Sequence, residues 1–232
     1  MKKIALLLLA LVLVFPVFAA DNRVDFSMGY GGTFLYSTEV KSDPTEIQKL
    51  DFTFSGANYF LADGDMGIAY AVDLAMPTVL TIGNDNTNYI DAYKLAVDAA
   101  KLEGIKANLI NFDLGLSVMF DYNLDITEEL SMDFAAGLGY DWTTVGYKAS
   151  AGGEKFKESI NIHTISVDTQ VAVNYAFAES FAVRGGLNVS MPFAAFMQTS
   201  SQEGSVSEKS ELMNLKAIGF GISGFVGVSY LY

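Results

Sequence analysis

Along most of this chain apolar and polar side chains alternate one by one, and the alternation persists for about ten residues at a time before it breaks. A β-strand sends successive side chains to opposite faces, so runs of this kind predict strands with one oily face and one polar face. The first run sets Val24, Phe26, Met28, Tyr30, Phe34 and Tyr36 against Arg23, Asp25, Ser27, Gly29, Gly31 and Thr33. Four more keep their oily faces at even positions, as in Phe52 and Phe54, Ile68 and Tyr70, Leu114 and Leu116, and Leu138 and Tyr140. Two switch to odd positions, Ile165 to Phe177 and Phe181 to Phe193, and an eighth begins near Leu215. About ten residues is what a tilted strand needs to cross a bilayer, and an even number of antiparallel strands closes without a free edge. The expected fold is all-β, an eight-stranded antiparallel up-and-down transmembrane barrel.

The connections alternate in length. Residues 62–65, 123–129 and 178–180 are short links, whereas 37–49, 77–107, 145–159 and 198–212 are long. In bacterial barrels short turns face the periplasm and long loops face outward, so the loops are expected to be extracellular and both termini periplasmic. The second long connection carries Tyr89 to Glu103, rich in helix formers, with Asn88 placed as a cap, Asp91 in the first turn and Gly104 after the end. Ile90, Tyr93 and Val97 fall on one stripe, which predicts a helix packed across the barrel mouth. A ligand gate, or an extra hairpin making ten strands, is the alternative for 88–104.

The first twenty residues follow another pattern. Lys2 and Lys3 precede an apolar run from Ile4 to Phe15, and small residues at Ala19 and Ala20 offer a cleavage site. Residues 1–20 are therefore expected to be a cleaved signal peptide and 21–232 the barrel domain, since the apolar run is shorter than the roughly 20 residues of a spanning helix. Without the two leader lysines, 12 of the 14 basic residues remain against 27 acidic ones, about −15 in charge, which argues against nucleic acid and anionic lipid as partners. The chain is 51% hydrophobic and has no cysteine, so thiol chemistry and disulfides are excluded.

Aromatic residues gather at the strand ends. Tyr122, Tyr175, Tyr230 and Tyr232 belong to the lower end, and Tyr36, Trp142 and Phe193 to the upper, the expected girdles at two membrane interfaces. The chain stops on Tyr230-Leu-Tyr232 after an alternating strand. This ending and the eight-run architecture resemble the small outer-membrane barrels of the OmpA transmembrane domain, OmpX and OmpW class, over essentially all of 21–232. The last residue is Tyr where that class more often has Phe. The resemblance implies an integral outer-membrane location, contact with outer-membrane lipid and recognition of the final strand by barrel-assembly machinery.

The inward face carries the candidate chemistry. Low in the lumen, Arg23 and Arg184 stand with Asp25, Asp121 and Asp133, an expected ion-pair network. Higher up, Asp51, Asp113, Asp141 and Asp168 show no evident counter-charge and predict a hydrated, cation-attracting vestibule. Inward glycines such as Gly29, Gly31, Gly139 and Gly221 are expected to leave free volume, and Met119, Phe196 and Phe225 to offer apolar contact to a ligand. Pro192 is expected to interrupt the inward face of its strand, opening a lateral defect or marking where the barrel leaves the membrane. A metal remains open, because Asn84-Asp-Asn86 is a poor match to an oxygen-ligand loop. No cofactor is expected and no catalytic residue is assigned: a hydrolase needs a base, and the single histidine, His163, stands near a strand end in uncertain register. The expected role is a barrel presenting four surface loops, structural or adhesive, with an unidentified extracellular ligand as the partner such loops could meet. The alternative is a narrow cation-preferring pore or a conduit for a small amphipathic ligand.

Overall fold

The computed structural model describes residues 21–39, 43–61, 65–85 and 87–231, so the expected signal peptide and Tyr232 lie outside it. Seven long strands run up and down in chain order: β1 (Asp21–Ser37), β2 (Thr45–Leu61), β3 (Met66–Thr81), β4 (Lys106–Asp125), β5 (Leu130–Ala151), β6 (Glu154–Ala178) and β7 (Phe181–Glu203). Two short strands follow, β8 (Val206–Lys209) and β9 (Met213–Asn214), both paired to the upper part of β7. The last strand, β10 (Ala217–Leu231), pairs with β1 on one side and β7 on the other and closes an eight-stranded ring. The segment between β3 and β4 holds a helix, α1 (Tyr89–Leu102), and not an extra hairpin. Closure gives every long strand a partner on both sides, the condition for spanning hydrocarbon.

The period-two pattern sets the two faces. Phe120 is 70% exposed and Val118 and Leu138 60% each on the outside, whereas Asp25, Asp113, Asp121 and Asp133 are at most 2% exposed inside. An oily band of this extent on a closed sheet is a lipid-facing surface. Strand lengths of 16 or 17 residues for β1 to β3 exceed what a crossing needs, and β5, β6 and β7 reach 22 to 25. The wall is tall on the β5–β7 side and low on the β1–β3 and β10 side.

Two of the expected long loops are therefore mostly strand. β5 and β6 continue to a turn at Gly152 and Gly153, both with positive φ, and β7 turns into β8 around Gly204. Alternation continues above the membrane band there, but the outer face turns polar and the lipid-facing hydrophobic signal vanishes. Two bulges also shift parity. Thr78 has no partner between the Gln48↔Val79 and Lys49↔Pro77 pairs, and Phe193 none between Ile165↔Ala194 and Ser166↔Pro192. Above them Leu80 and Ala195 face inward, and Phe196, opposite outward-facing His163, lies on the outer wall instead of inside. Ile160 and Ile162 keep even parity and point inward, which settles the register around His163.

Candidate functional site: the lumen and its two closures

At the end of the barrel bearing the short turns, β1 and β7 bring Arg23 and Arg184 among three carboxylates from β1, β4 and β5. Arg23 Nε donates to Asp25 Oδ2 at 3.1 Å, Nη1 to Asp133 Oδ2 at 2.5 Å and Nη2 to Asp121 Oδ2 at 3.2 Å. Arg184 Nη1 donates to Asp25, its Nη2 lies 3.3 Å from Asp133 Oδ2, and Nη2 donates to Gln170 Oε1 at 2.5 Å. Tyr59 donates to Asp121 at 2.8 Å, and Asn174 and Asn123 donate to Asp133 at 2.8 and 3.0 Å. The guanidiniums also lie over the rings of Tyr59 and Phe225, at 5.7 and 5.6 Å. All five charged residues assigned to the lower lumen thus meet in one cluster, which fills the cross-section with ion pairs. Phe225 is spent on Arg184 and not left for a ligand.

Above this cluster lies a polar chamber of about 110 Å³, faced by Asp51, Asp73, Asp141 and Asp168 with Lys49 and Met119. Sequence reasoning left Asp51, Asp113, Asp141 and Asp168 without a counter-charge; the structure supplies one. Lys49 Nζ donates to Asp113 Oδ1 and Asp141 Oδ1, each at 2.7 Å, and Thr143 donates to Asp113 Oδ2 at 2.5 Å. Lys49 shares the odd, inward parity of Asp51 but stood in a stretch read as loop; β2 begins at Thr45. Thr53 donates to Asp73, and Ser166 donates to Asp168 at 2.7 Å. One ammonium against this many carboxylates still leaves a chamber that favours cations over anions. Among the described residues no group of three or more Asp, Glu, His or Cys has the geometry to hold a metal ion.

Of the inward glycines, Gly31 lines the chamber, whereas Gly29, Gly139 and Gly221 do not leave free volume. A Cβ on Gly139 would collide with Asp168 Oδ2, one on Gly29 would stand 2.5 Å from Asp51 Oδ1, and one on Gly221 would collide with Ser190 Oγ. The glycines are seats into which side chains of the neighbouring strands fold.

The opposite end is closed by apolar packing. Leu35, Ile47, Leu80, Val145, Ile160 and Ile162 turn inward from five strands and pack with Ile90 and Tyr93 of α1. The helix is capped as its sequence predicts: Asn88 Oδ1 accepts from Ile90 N at 3.2 Å and from Leu80 N at 3.1 Å, which ties the cap to the barrel wall. Thr87 and Tyr89 donate to Asp85, holding its carboxyl below the usual range. Tyr93 donates to Glu158 Oε1 on β6 at 3.0 Å, and burial, with Glu158 beside it, pushes its hydroxyl well above the ordinary value of 10.0. Beyond the plug, the tips of β5 to β8 enclose a depression of about 400 Å³ on their inner face, with Phe156, Val206, Glu158, Glu203 and Glu208 among its walls.

On the outside, Tyr36, Tyr122, Tyr175 and Tyr230 are 39 to 56% exposed at strand ends, in girdle positions. Trp142 stacks against His163 at 6.1 Å, and Tyr140 OH lies 2.7 Å from His163 Nδ1. His163 is a lipid-face residue of the upper girdle, remote from the lumen carboxylates. Pro192 opposes Ser166 without breaking β7, but the β7–β10 ladder stops at Ser190↔Gly221, and β10 continues paired to β1 alone. The proline ring would stand 3.0 Å from a Cβ on Gly219, so packing covers the seam where hydrogen bonds end.

A closed ring of eight strands, an oily outer band, aromatic girdles and a polar interior define an eight-stranded transmembrane β-barrel of the outer-membrane type. A solved structure agrees on that fold. The chain is similar to a major outer membrane protein from Thermus thermophilus, at 16% identity over 90% of this chain and 99% of that one, with a TM-score of 0.53. It also matches Neisserial surface protein A at 11% identity over 91% and 98% of the two chains (TM-score 0.43). Ail, the attachment invasion locus protein of Yersinia pestis, matches at 13% identity over 93% and 100% (TM-score 0.39). No protein-family model and no curated protein sequence matches the chain.

Proposed function

We propose that this barrel works as a non-conducting outer-membrane display platform: its working surface is the α1 end, held outside the cell, with the short turns and both termini in the periplasm. The observation that carries the reading is the double closure of the lumen, by the arginine cluster at one end and by the α1 plug at the other. A conduit needs a continuous polar path, and the apolar plug interrupts it. The orientation rests on the asymmetry of the strand ends, with short turns below and the tall β5–β8 wall above. The displayed surface comprises α1, the β5–β6 and β7–β8 tips and the acidic, aromatic-walled depression between them, whose chemistry suits a cationic segment of a partner. On this reading the protein is not an enzyme, and the Asp51, Asp113, Asp141 and Asp168 group, with Lys49 paired to Asp113 and Asp141, is an enclosed acidic layer of the lumen between the two closures and not a vestibule.

Conductance of the folded protein in planar bilayers under KCl gradients tests it. Silence is expected from the intact chain, with conductance arising when residues 87–104 are replaced by a short Gly-Ser linker. Discrete cation-selective steps from the intact chain would establish the pore reading instead, with Asp51 and Asp168 as its selectivity groups.

A further inference from the structure

The outer face of the tall wall changes character above the aromatic girdle. Below Tyr140 it is apolar; above Trp142 its outward positions on β4, β5, β6 and β8 include Lys106, Lys148, Lys155, Lys157 and Lys209, all exposed. The register places Lys148 directly opposite Lys157, sets Lys106 and Lys155 on either side of Ser150, and puts Lys209 opposite Ser200. The acidic residues of the same strand tips, Glu154, Glu158, Glu203 and Glu208, have the other parity and face inward. Among the described residues, ion pairs of lysine involve Lys49 and Lys216 and none of these outward lysines. Two like charges directly opposite on one face of a ladder repel. A chain with a net charge of −13 has carboxylates to spare, yet keeps them off this face.

The lysines do not simply point into water. Lys157 and Lys209 line a groove of about 260 Å³ on the outer wall together with Trp142, His163, Asn161 and Ser200. Trp142 Nε1 is enclosed there with no acceptor. Trp and Tyr girdles mark the depth of lipid headgroups, and long lysine stems lie along apolar wall while their ammonium groups reach that depth. Their nearest carboxylates, Glu158 and Glu208, stand on the opposite face of the wall, so the charged groups that face lipid here are lysines.

We infer that this groove binds the phosphate-bearing headgroup of a membrane lipid, with the phosphate between Lys157 and Lys209 and an acyl chain descending past Trp142 and His163. The leaflet concerned is the outer one if the orientation proposed above holds; the binding itself is independent of orientation and of conductance. Overall charge argued against anionic lipid as a partner, and the register of the strand tips reverses that expectation for this one face.

Trp142 is the single tryptophan of the chain, so its fluorescence reports on the groove. The protein folded in neutral detergent micelles is titrated with short-chain phosphatidic acid, with phosphatidylcholine of equal chain length and with inorganic phosphate. A saturable change of Trp142 emission is expected with phosphatidic acid alone. Lys157→Gln with Lys209→Gln is expected to weaken it about tenfold, while Lys94→Gln with Lys101→Gln on α1 removes equal charge and leaves it unchanged. Retained heat-modifiable migration shows that each variant is folded. An equal response to phosphatidylcholine, or equal weakening by both lysine pairs, overturns the site, and an equal response to inorganic phosphate overturns its assignment to lipid.

Discussion

The two ends of the lumen are shut by opposite means. At the turn end, two guanidiniums and three carboxylates from β1, β4, β5 and β7 lock the ring from inside. At the other end, aliphatic side chains meet a helix that belongs to no strand. A buried charge cluster cannot lose one member cheaply, because every partner is then left desolvated and unpaired. An apolar plug tolerates piecemeal loss, and its helix can lift off without breaking a single barrel ladder. The turn end is therefore built for permanence and the α1 end for local motion above a fixed frame.

The sharpest way to break this contrast is Arg23→Met, which leaves Asp25, Asp121 and Asp133 sharing one arginine. A loss of about 3–5 kcal/mol is expected, read as a large drop in the urea midpoint; an unchanged midpoint would show that the cluster is not what holds the turn end. Next comes Gly139→Ala, which drives a methyl into Asp168 and is expected to cost about 1–3 kcal/mol. Adding Asp168→Ala should recover most of it, and a double variant no better than the single one would refute the seating. Smaller is Asn88→Ala, about 1 kcal/mol confined to α1 and the top of β3. Amide exchange there should quicken while the β4–β6 ladders keep their protection. The mildest effect is one of pH. The Tyr93 hydroxyl keeps its proton in the docked helix to a higher pH than in an undocked one, so docking is at full strength below pH 10 and weakens as the pH rises beyond it. Proteolytic nicking near α1 should increase above that pH, and Tyr93→Phe should abolish the increase; nicking that rises equally in both proteins would exclude Tyr93 as its cause.

The legible part of this molecule is the part governed by strict alternation. Inward Arg23, Asp25 and Arg184 and outward Phe120 and Trp142 follow from parity alone, and Asn88, Asp91 and Gly104 announce α1 because capping is local chemistry. What escaped is non-local. Lys49 lies where β2 climbs above the lipid band and its outer face stops being oily, so nothing in the sequence marks that stretch as strand. The bulges at Thr78 and Phe193 are decided by cross-strand register, and through them Phe196 was assigned to the wrong face. Gly29 and Gly139 read as empty space until the register sets Asp51 and Asp168 beside them. The inner face was expected to be mainly polar, with Met119, Phe196 and Phe225 as its apolar contacts, yet Leu35, Ile47 and Ile162 show that it turns apolar where it meets a plug instead of a chamber.

The β7–β10 ladder runs only from Phe181↔Tyr230 to Ser190↔Gly221, while its neighbour β6–β7 is paired along almost the full length of both strands. Hairpins between successive strands zip from their own turns, but β10 must find β1 across almost the whole length of the chain, a search whose entropy cost grows with the logarithm of the intervening length. The two joins of β10 therefore divide the work of closure: pairing with β1, from Arg23↔Leu231 to Ser37↔Ala217, completes the cylinder last, while the brief β7–β10 ladder, ended near Pro192, is the zipper's weakest tooth, where force or heat would first unroll the wall into a sheet.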